Sequence, residues 1–230
     1  TYVTGLAAKN AATELREKIC AKAAQMWDVD AADVVFDGQY VRLSDERAAR
    51  EQNRYLTLRD FANLCVKNIA GGDALTSHAS ACLPVSPPPF MAGIAEVEVD
   101  KATGKVTVVD YAAAVDCGTV INEALARVQA EGGIAQGIGH ALYEIVEHDE
   151  RGRLRTGNFM SYKLPTRLDI GSIRVAFEPS YEPTGPFGAK SIGEVVINTP
   201  LAAVASAVAH ATGHQVRSLP ITPEKALLGE

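Results

Sequence analysis

Four glycines clustered in one predicted helix constrain the fold of this chain more than any other feature. The helix is predicted over residues 123–139, and its second half contains Gly132, Gly133, Gly137 and Gly139. Each glycine costs a helix about 1 kcal/mol relative to alanine, so the cluster implies a gain from the missing side chains. Either tight packing of the helix on a sheet or close approach of a ligand would supply it. Gln136 lies inside the cluster and would then either cap backbone groups or bind the ligand through its amide.

The segment over residues 185–194 is the second irregular feature, with three glycines, one proline, one lysine and a final glutamate. Glycine and proline give the backbone a specific path, and glycine lets it approach a ligand closely. Glu194 lies between this segment and the apolar run of residues 195–197. Its carboxylate is therefore either an ordinary loop charge or a buried base.

Helices and hairpins alternate along the chain, which predicts the α+β class. Apolar periodicity and capping residues predict helices over residues 4–26, 58–69, 123–139, 202–211 and 223–228. Runs of β-formers around turn residues predict hairpins that join 34–36 to 40–43, 94–99 to 106–115 and 141–148 to 153–163. Residues 173–177 add one further strand. We expect antiparallel hairpins and a mixed sheet packed with helices.

A break in composition over residues 70–90 divides the chain. This stretch opens on two glycines and closes on three consecutive prolines, which remove hydrogen-bond donors and force extended backbone. We therefore expect a connector between two subdomains, an N-terminal helix–hairpin–helix subdomain over residues 1–85 and a second subdomain over residues 86–230. Residues 44–54 are highly charged, and we expect them to form a solvated loop.

Charge, cysteine spacing and hydropathy exclude several classes of function. The formal net charge is −6 and no basic cluster is present, so a nucleic acid is not expected as a partner. The four cysteines are scattered and form no metal-binding motif, and we expect reduced thiols in the cytoplasm. No stretch approaches the ~20 apolar residues of a membrane span, and no signal peptide is recognisable.

Two local patterns match known ligand motifs only in part. His210 and His214 have the spacing of a helical metal pair, but Gly213 is predicted to end the helix between them. Residues 137–139 read Gly-Ile-Gly without the third glycine and the preceding strand of a dinucleotide fingerprint. An enzyme that uses the glycine cluster to bind coenzyme A or a nucleotide is therefore disfavoured.

Six segments in a fixed order carry a resemblance to one family. They are residues 86–90, 95–100, 116–122, 132–139, 156–165 and 188–194. The chain resembles the C-terminal half of the molybdenum-binding subunit of xanthine dehydrogenase and aldehyde oxidase-type hydroxylases. The resemblance is strong over residues 86–228 and weaker over residues 1–85.

The resemblance implies a molybdenum cofactor of the molybdopterin type, in its plain or its cytosine dinucleotide form. Such enzymes hydroxylate an electron-poor carbon of an N-heterocycle or aldehyde with oxygen from water. By motif position, Glu194 would be the general base and Gln136 would hydrogen-bond the cofactor near the metal. The resemblance also assigns cofactor contacts to Gly137, Lys190, Ser191, Ile192 and Gly193, and no protein residue would ligate the metal. We expect Glu194 to be buried beside Val195 and Val196, where a charged carboxylate is disfavoured.

The same resemblance implies that this chain is incomplete on its own. A substrate-orienting arginine would lie on an N-terminal molybdenum-binding half or subunit, and iron–sulfur clusters and FAD on partner subunits. The chain begins with Thr1, and both a natural split subunit and a fragment stay open. A second function also stays open, that of a non-catalytic module that supports assembly of such a complex without bound cofactor.

Overall fold

The structure, a computed structural model, describes residues 1–67, 75–82 and 85–229. Two compact units divide the chain. One unit comprises Val3–Pro84, and the other comprises Val85–Glu230 together with Thr1–Tyr2. Both combine helices with a three-stranded sheet, so the predicted α+β class is confirmed.

The N-terminal unit is built on an antiparallel sheet of three short strands. The long helix α1 (Tyr2–Trp27) leads to β1 (Val34–Phe36), β2 (Tyr40–Leu43), α2 (Glu46–Glu51), β3 (Tyr55–Thr57) and α3 (Leu58–Val66). Strand β2 is central, and its register with β1 confirms the predicted hairpin. Ile19 of α1, Val41 of β2 and Phe61 of α3 are buried in one core.

The prediction of a solvated loop over residues 44–54 is wrong, because α2 forms there. Asp45 caps the helix by accepting hydrogen bonds from the amides of Arg47 and Ala48. Two ion pairs four residues apart, Arg47–Glu51 and Arg50–Glu46, add to its stability. The charges that suggested a loop are thus the charges of an exposed helix.

The predicted end of the second helix and much of the predicted connector lie outside the described residues. Helix α3 begins after Thr57, whose hydroxyl accepts a hydrogen bond from the Asp60 amide, and it ends at Val66. Residues 75–82 and 85–89 form no helix or strand, which agrees with a connector in those parts.

The C-terminal unit contains a mixed sheet in the order β4-β5-β6. Strands β4 (Phe90–Val99) and β5 (Val106–Asp116) pair antiparallel, and β6 (Ser172–Phe177) pairs parallel to β5. Helix α4 (Glu123–Leu142) lies between β5 and β6 in the chain, and α5 (Val195–Thr212) and α6 (Pro223–Leu228) follow β6. The predicted hairpin of 94–99 with 106–115 is confirmed, and β5 lies at the centre of the sheet.

The core of this unit lies between the sheet and the two long helices. Val108, Tyr111 and Val115 of β5 are buried in it. Val109 has no partner on β4, and this bulge shifts the alternation so that Val108 and Tyr111 share a face. Ile134 and Ile138 of α4 enter at helical spacing, and α5 contributes Val196, Pro200, Val204 and Val208. Helix α5 thus packs against both β4 and α4.

Two sequence predictions in this unit are wrong. Helix α5 begins at Val195 rather than near residue 202 as predicted, and Pro200 lies inside the helix with its ring against α4. The predicted hairpin of 141–148 with 153–163 is reduced, in the described residues, to one bridge between His148 and Leu154. Backbone hydrogen bonds from the Asp149 and Arg155 amides flank this bridge, and the Tyr162 hydroxyl adds a hydrogen bond to the Glu144 carboxylate.

Helix α5 is the one helix in the described part of the chain that is long and apolar enough to cross a membrane. Its mean hydropathy is 1.4 over Val195–Thr212, and 22% of that stretch is buried. The sequence analysis expected no stretch as long and apolar as a membrane span, and residues 195–212 are an exception to that expectation. Length and composition are weak signs of a membrane helix, because core helices share them.

Candidate active site

The predicted site residues converge where the loop before α5 meets α4. Gln136, Gly193 and Glu194 line one open hollow of about 370 Å³, together with Gln129 and Gly132. Lys190, Ser191, Ile192 and Gly193 line a second hollow of about 450 Å³ beside the first turns of α4. Gln129 and Gly193 line both hollows, so the two hollows are neighbours. Gly137 lines neither of them and is buried.

The glycines of α4 have different roles in the structure. A methyl group on Gly133 would overlap Val196 Cγ2, and one on Gly137 would lie 2.8 Å from Pro200 Cβ. These two glycines therefore let α5 approach α4 closely, so the packing is helix on helix rather than helix on sheet. A methyl group on Gly139 would lie 2.9 Å from Pro165 Cδ. Only Gly132 of the four faces open space, with no atom within 4 Å of an added methyl group.

Gly132 is therefore the glycine of the four that borders open space. It lies in the wall of the first hollow between Gln129 and Gln136. A methyl group at this position would meet no atom within 4 Å. Helix packing thus explains Gly133 and Gly137 but not Gly132.

Glu194 lies directly before α5 and its side chain is exposed. Val196 of α5 packs inward against Gly133. This orientation of the helix leaves Glu194, two residues earlier, at the rim of the hollow. The residues of this chain alone therefore do not bury the carboxylate beside Val195 and Val196.

Backbone hydrogen bonds join the loop that leads to Glu194 to the end of β5. The Lys190 amide donates to the Cys117 carbonyl over 2.7 Å, and the Thr119 amide donates to the Gly188 carbonyl over 2.9 Å. Gly118 has a φ of 69°, and a side chain there would overlap the Gly188 carbonyl. Two segments that the sequence separates by about seventy positions thus form one ordered wall.

The Lys190 ammonium is engaged with the protein itself. Its Nζ lies 2.7 Å from Asp116 Oδ2 and 5.4 Å from the centre of the Phe90 ring. Burial would raise the pKa of Asp116, but hydrogen bonds from Lys190, Ser180 and the Gly118 amide outweigh burial and lower it. Lys190 therefore anchors the loop to β5. The ion pair with Asp116 holds its side chain in the wall of the second hollow.

Replacing Lys190 by methionine is expected to destabilise the protein by about 3 kcal/mol at pH 7, because Lys190 is only 11% exposed and solvent screens its ion pair with Asp116 poorly. Since the pKa of Asp116 is lowered by folding, its stabilising effect is present above about pH 4 and is lost as the pH falls. Denaturant unfolding should therefore show a difference between Lys190→Met and the original protein that shrinks between pH 7 and pH 3.

The matched control is Arg174→Met, which removes the cation from Asp110 on the same sheet. Arg174 is 71% exposed, so its loss should change the free energy of unfolding much less. An equal effect of the two substitutions would contradict the anchoring role of Lys190.

Sequence reasoning missed Gln129. It precedes Gln136 by seven residues, and Gly132 and Gly133 fall between them at helical spacing. These four positions form one face of α4, and the structure turns this face toward Gly193 and Glu194. The spacing of these four residues therefore predicts that they share one face of α4. It does not predict which segment that face contacts.

Comparisons with known proteins show the family of this chain. Residues 1–171 match the family model described as a molybdopterin cofactor-binding domain. Gln136 lies inside the matched residues and Glu194 lies beyond them.

Longer relatives cover nearly the whole chain. The xanthine dehydrogenase molybdenum-binding subunit of Escherichia coli O157:H7 is 33% identical over 226 residues, which are 98% of this chain and 30% of that protein. The 6-hydroxypseudooxynicotine dehydrogenase complex subunit gamma of Paenarthrobacter nicotinovorans is 30% identical over 98% of this chain and 28% of its own length. The solved structure of quinoline 2-oxidoreductase from Pseudomonas putida 86 matches with a TM-score of 0.70 and 30% identity, over 95% of this chain and 28% of that one.

The chain thus spans less than a third of each of these proteins. The match to the family model covers well over half of the chain, and the relatives extend the likeness to the remainder. The chain therefore belongs to the molybdopterin cofactor-binding domain family, and its resemblance to the molybdenum-binding subunits of xanthine dehydrogenase-type enzymes is confirmed.

Proposed function

We propose that this chain forms one wall of the molybdenum site of a hydroxylase, with Glu194 as the general base and Gln136 as a ligand of the cofactor. The observation that carries the proposal is the first hollow, where one amide, one carboxylate and an open glycine wall come together. A reacting group placed between Gln136 and Glu194 would contact both a hydrogen-bonding side chain and a proton acceptor.

The residues of this hollow fit a cofactor of this class. Gly132 leaves space that a larger side chain would fill, and the exposed amide of Gln136 can donate and accept hydrogen bonds. Ser191, Ile192 and Gly193 would extend the contact surface toward the second hollow. Lys190 would stabilise this loop through its ion pair with Asp116 rather than contact the cofactor. Gly137 would act indirectly, because its close packing on Pro200 fixes the helix that carries Gln136.

When bound, the molybdenum cofactor would accept two electrons from the substrate carbon, while water supplies the oxygen of the product. The reaction also releases two protons, and Glu194 would accept the one that leaves the oxygen derived from water. Gln136 would fix the orientation of the cofactor relative to Glu194. The exposure of Glu194 supports a site that is closed by a second wall, since water must be excluded for a positioned base to act with full effect.

The second wall would come from an N-terminal molybdenum-binding half or subunit. The greater length of the relatives supports this proposal. Iron–sulfur clusters and FAD would lie on partner subunits and carry electrons away, and the cofactor would take the molybdopterin or the cytosine dinucleotide form. The names xanthine dehydrogenase and quinoline 2-oxidoreductase favour an N-heterocycle as the substrate, followed by an aldehyde. A cytoplasmic location stays a prediction.

The test is metal and cofactor analysis of the complete enzyme that contains this chain. We expect about one molybdenum and one pterin per copy, together with oxidation of an N-heterocycle or aldehyde by an artificial electron acceptor. A purified complex without molybdenum or pterin would instead support the non-catalytic assembly module and overturn the proposal.

A further inference from the structure

Gln129 joins the face of α4 that lines the first hollow to the loop that carries Glu194. Its side-chain Nε2 donates a hydrogen bond to the Gly193 carbonyl over 3.3 Å. Gln129 borders both hollows, so it lies on the ridge between them. The contact spans sixty-four positions of sequence and connects α4 with the peptide immediately before Glu194.

The backbone around Glu194 has few other constraints on this side. Gly193 carries no side chain, and no atom lies within 4 Å of the position that a methyl group would take. The Glu194 side chain makes no capping hydrogen bond to α5. On the other side, the Ile197 amide donates to the Glu194 carbonyl over 3.2 Å. The two carbonyls that flank the Glu194 Cα atom are thus held by Gln129 and by the first turn of α5.

The same helix face presents Gln136 toward the hollow. Gln129 and Gln136 lie seven residues apart on α4, about 10 Å along the helix axis. A rigid helix therefore sets the place of the cofactor ligand and, through Gln129, the place of the carboxylate. The hydrogen bond from Gln129 to Gly193 therefore helps to set the distance between Gln136 and Glu194.

We propose that Gln129 is a positioning residue for Glu194, which fixes the Gly193–Glu194 peptide so that the carboxylate faces the group held by Gln136. The inference rests on the proposed function of Glu194 as the general base. Misplacement of a catalytic group by about 1 Å can cost about 10²-fold in rate. Loss of the Gln129 hydrogen bond should therefore lower kcat and leave the KM of the substrate nearly unchanged.

The test compares variants of the complete enzyme. Gln129→Met keeps the length of the side chain but removes the donor, and we expect kcat to fall about 10- to 100-fold while molybdenum content stays unchanged and KM changes less than about twofold. Gln129→Lys restores a donor and should recover most of the lost kcat. Ala124→Met, at an exposed position of α4 away from both hollows, is the control for a methionine on this helix and should leave kcat unaltered.

Glu194→Gln in the same preparations separates the two proposals. If Glu194→Gln retains turnover, the proposed function fails, whatever Gln129→Met does. If Glu194→Gln is inactive and Gln129→Met turns over at the original rate, the positioning role is overturned and the general base stands. Loss of molybdenum from Gln129→Met, or failure of Gln129→Lys to recover kcat, would also overturn the positioning role.

Discussion

Replacing Glu194 by glutamine in the complete enzyme is expected to lower kcat for hydroxylation by at least about 10²-fold, because a positioned general base contributes about 10²- to 10⁴-fold. Glutamine has nearly the same size and keeps hydrogen-bonding groups, but it cannot accept a proton at neutral pH. The side chain is exposed at the rim of the hollow, so the exchange should leave the fold intact. Molybdenum and pterin contents, measured per protein, should therefore stay at the original level.

Glu98→Gln provides the matched control for this prediction. Glu98 is an exposed carboxylate of β4 on the same unit, and its exchange alters the net charge equally. Steady-state kinetics should show no change for this variant. A Glu194→Gln enzyme with full cofactor and undiminished kcat would remove Glu194 from the mechanism.

The glycines of α4 should respond in opposite directions to the same substitution. Gly137→Ala places a methyl group 2.8 Å from Pro200 Cβ and 3.0 Å from the Ile197 carbonyl oxygen, inside the contact with α5. Overpacking of a well-packed core costs about 1–3 kcal/mol, which exceeds the gain of about 1 kcal/mol in helix propensity. Gly133→Ala overlaps the fully buried Val196 and should be destabilising in the same way.

Gly132→Ala, next to Gly133, is the matched control for both substitutions. Its methyl group meets no atom within 4 Å, so the protein should gain up to about 1 kcal/mol from helix propensity alone. Denaturant unfolding of the purified polypeptide gives all three free energies. Equal effects at positions 132 and 137 would contradict the close contact between α4 and α5.

Local signals predicted those elements whose boundaries are set by their own residues. Asn122 and Thr222 accept hydrogen bonds from the amides three positions ahead, and helices begin after both of them. Thr199-Pro200 has the same local signature but lies inside α5. There Gly137 leaves space for the proline ring, and a contact between two distant segments overrides the local preference.

Most residues that line the two hollows of the candidate site were predictable from the sequence motifs, but their geometry was not. Motif order identified Gln136 and Glu194, and the structure places them at one hollow. The sequence could not separate Gly132 from Gly133, because that difference depends on which face of α4 meets α5. It also could not show that Glu194 is exposed, because the exposure of a side chain depends on the packing of distant segments and not on its sequence neighbours.

The loop before Glu194 is bonded to the end of β5, and α5 begins immediately after it against Gly133. The backbone that carries the carboxylate is thus attached to the sheet before it and to a helix after it. On the proposed assignment, discrimination among substrates would then be the task of the opposite wall, while this chain offers the same backbone support to each substrate. Exchange of the opposite wall between two such enzymes should transfer substrate preference without any change in the sequence of this half.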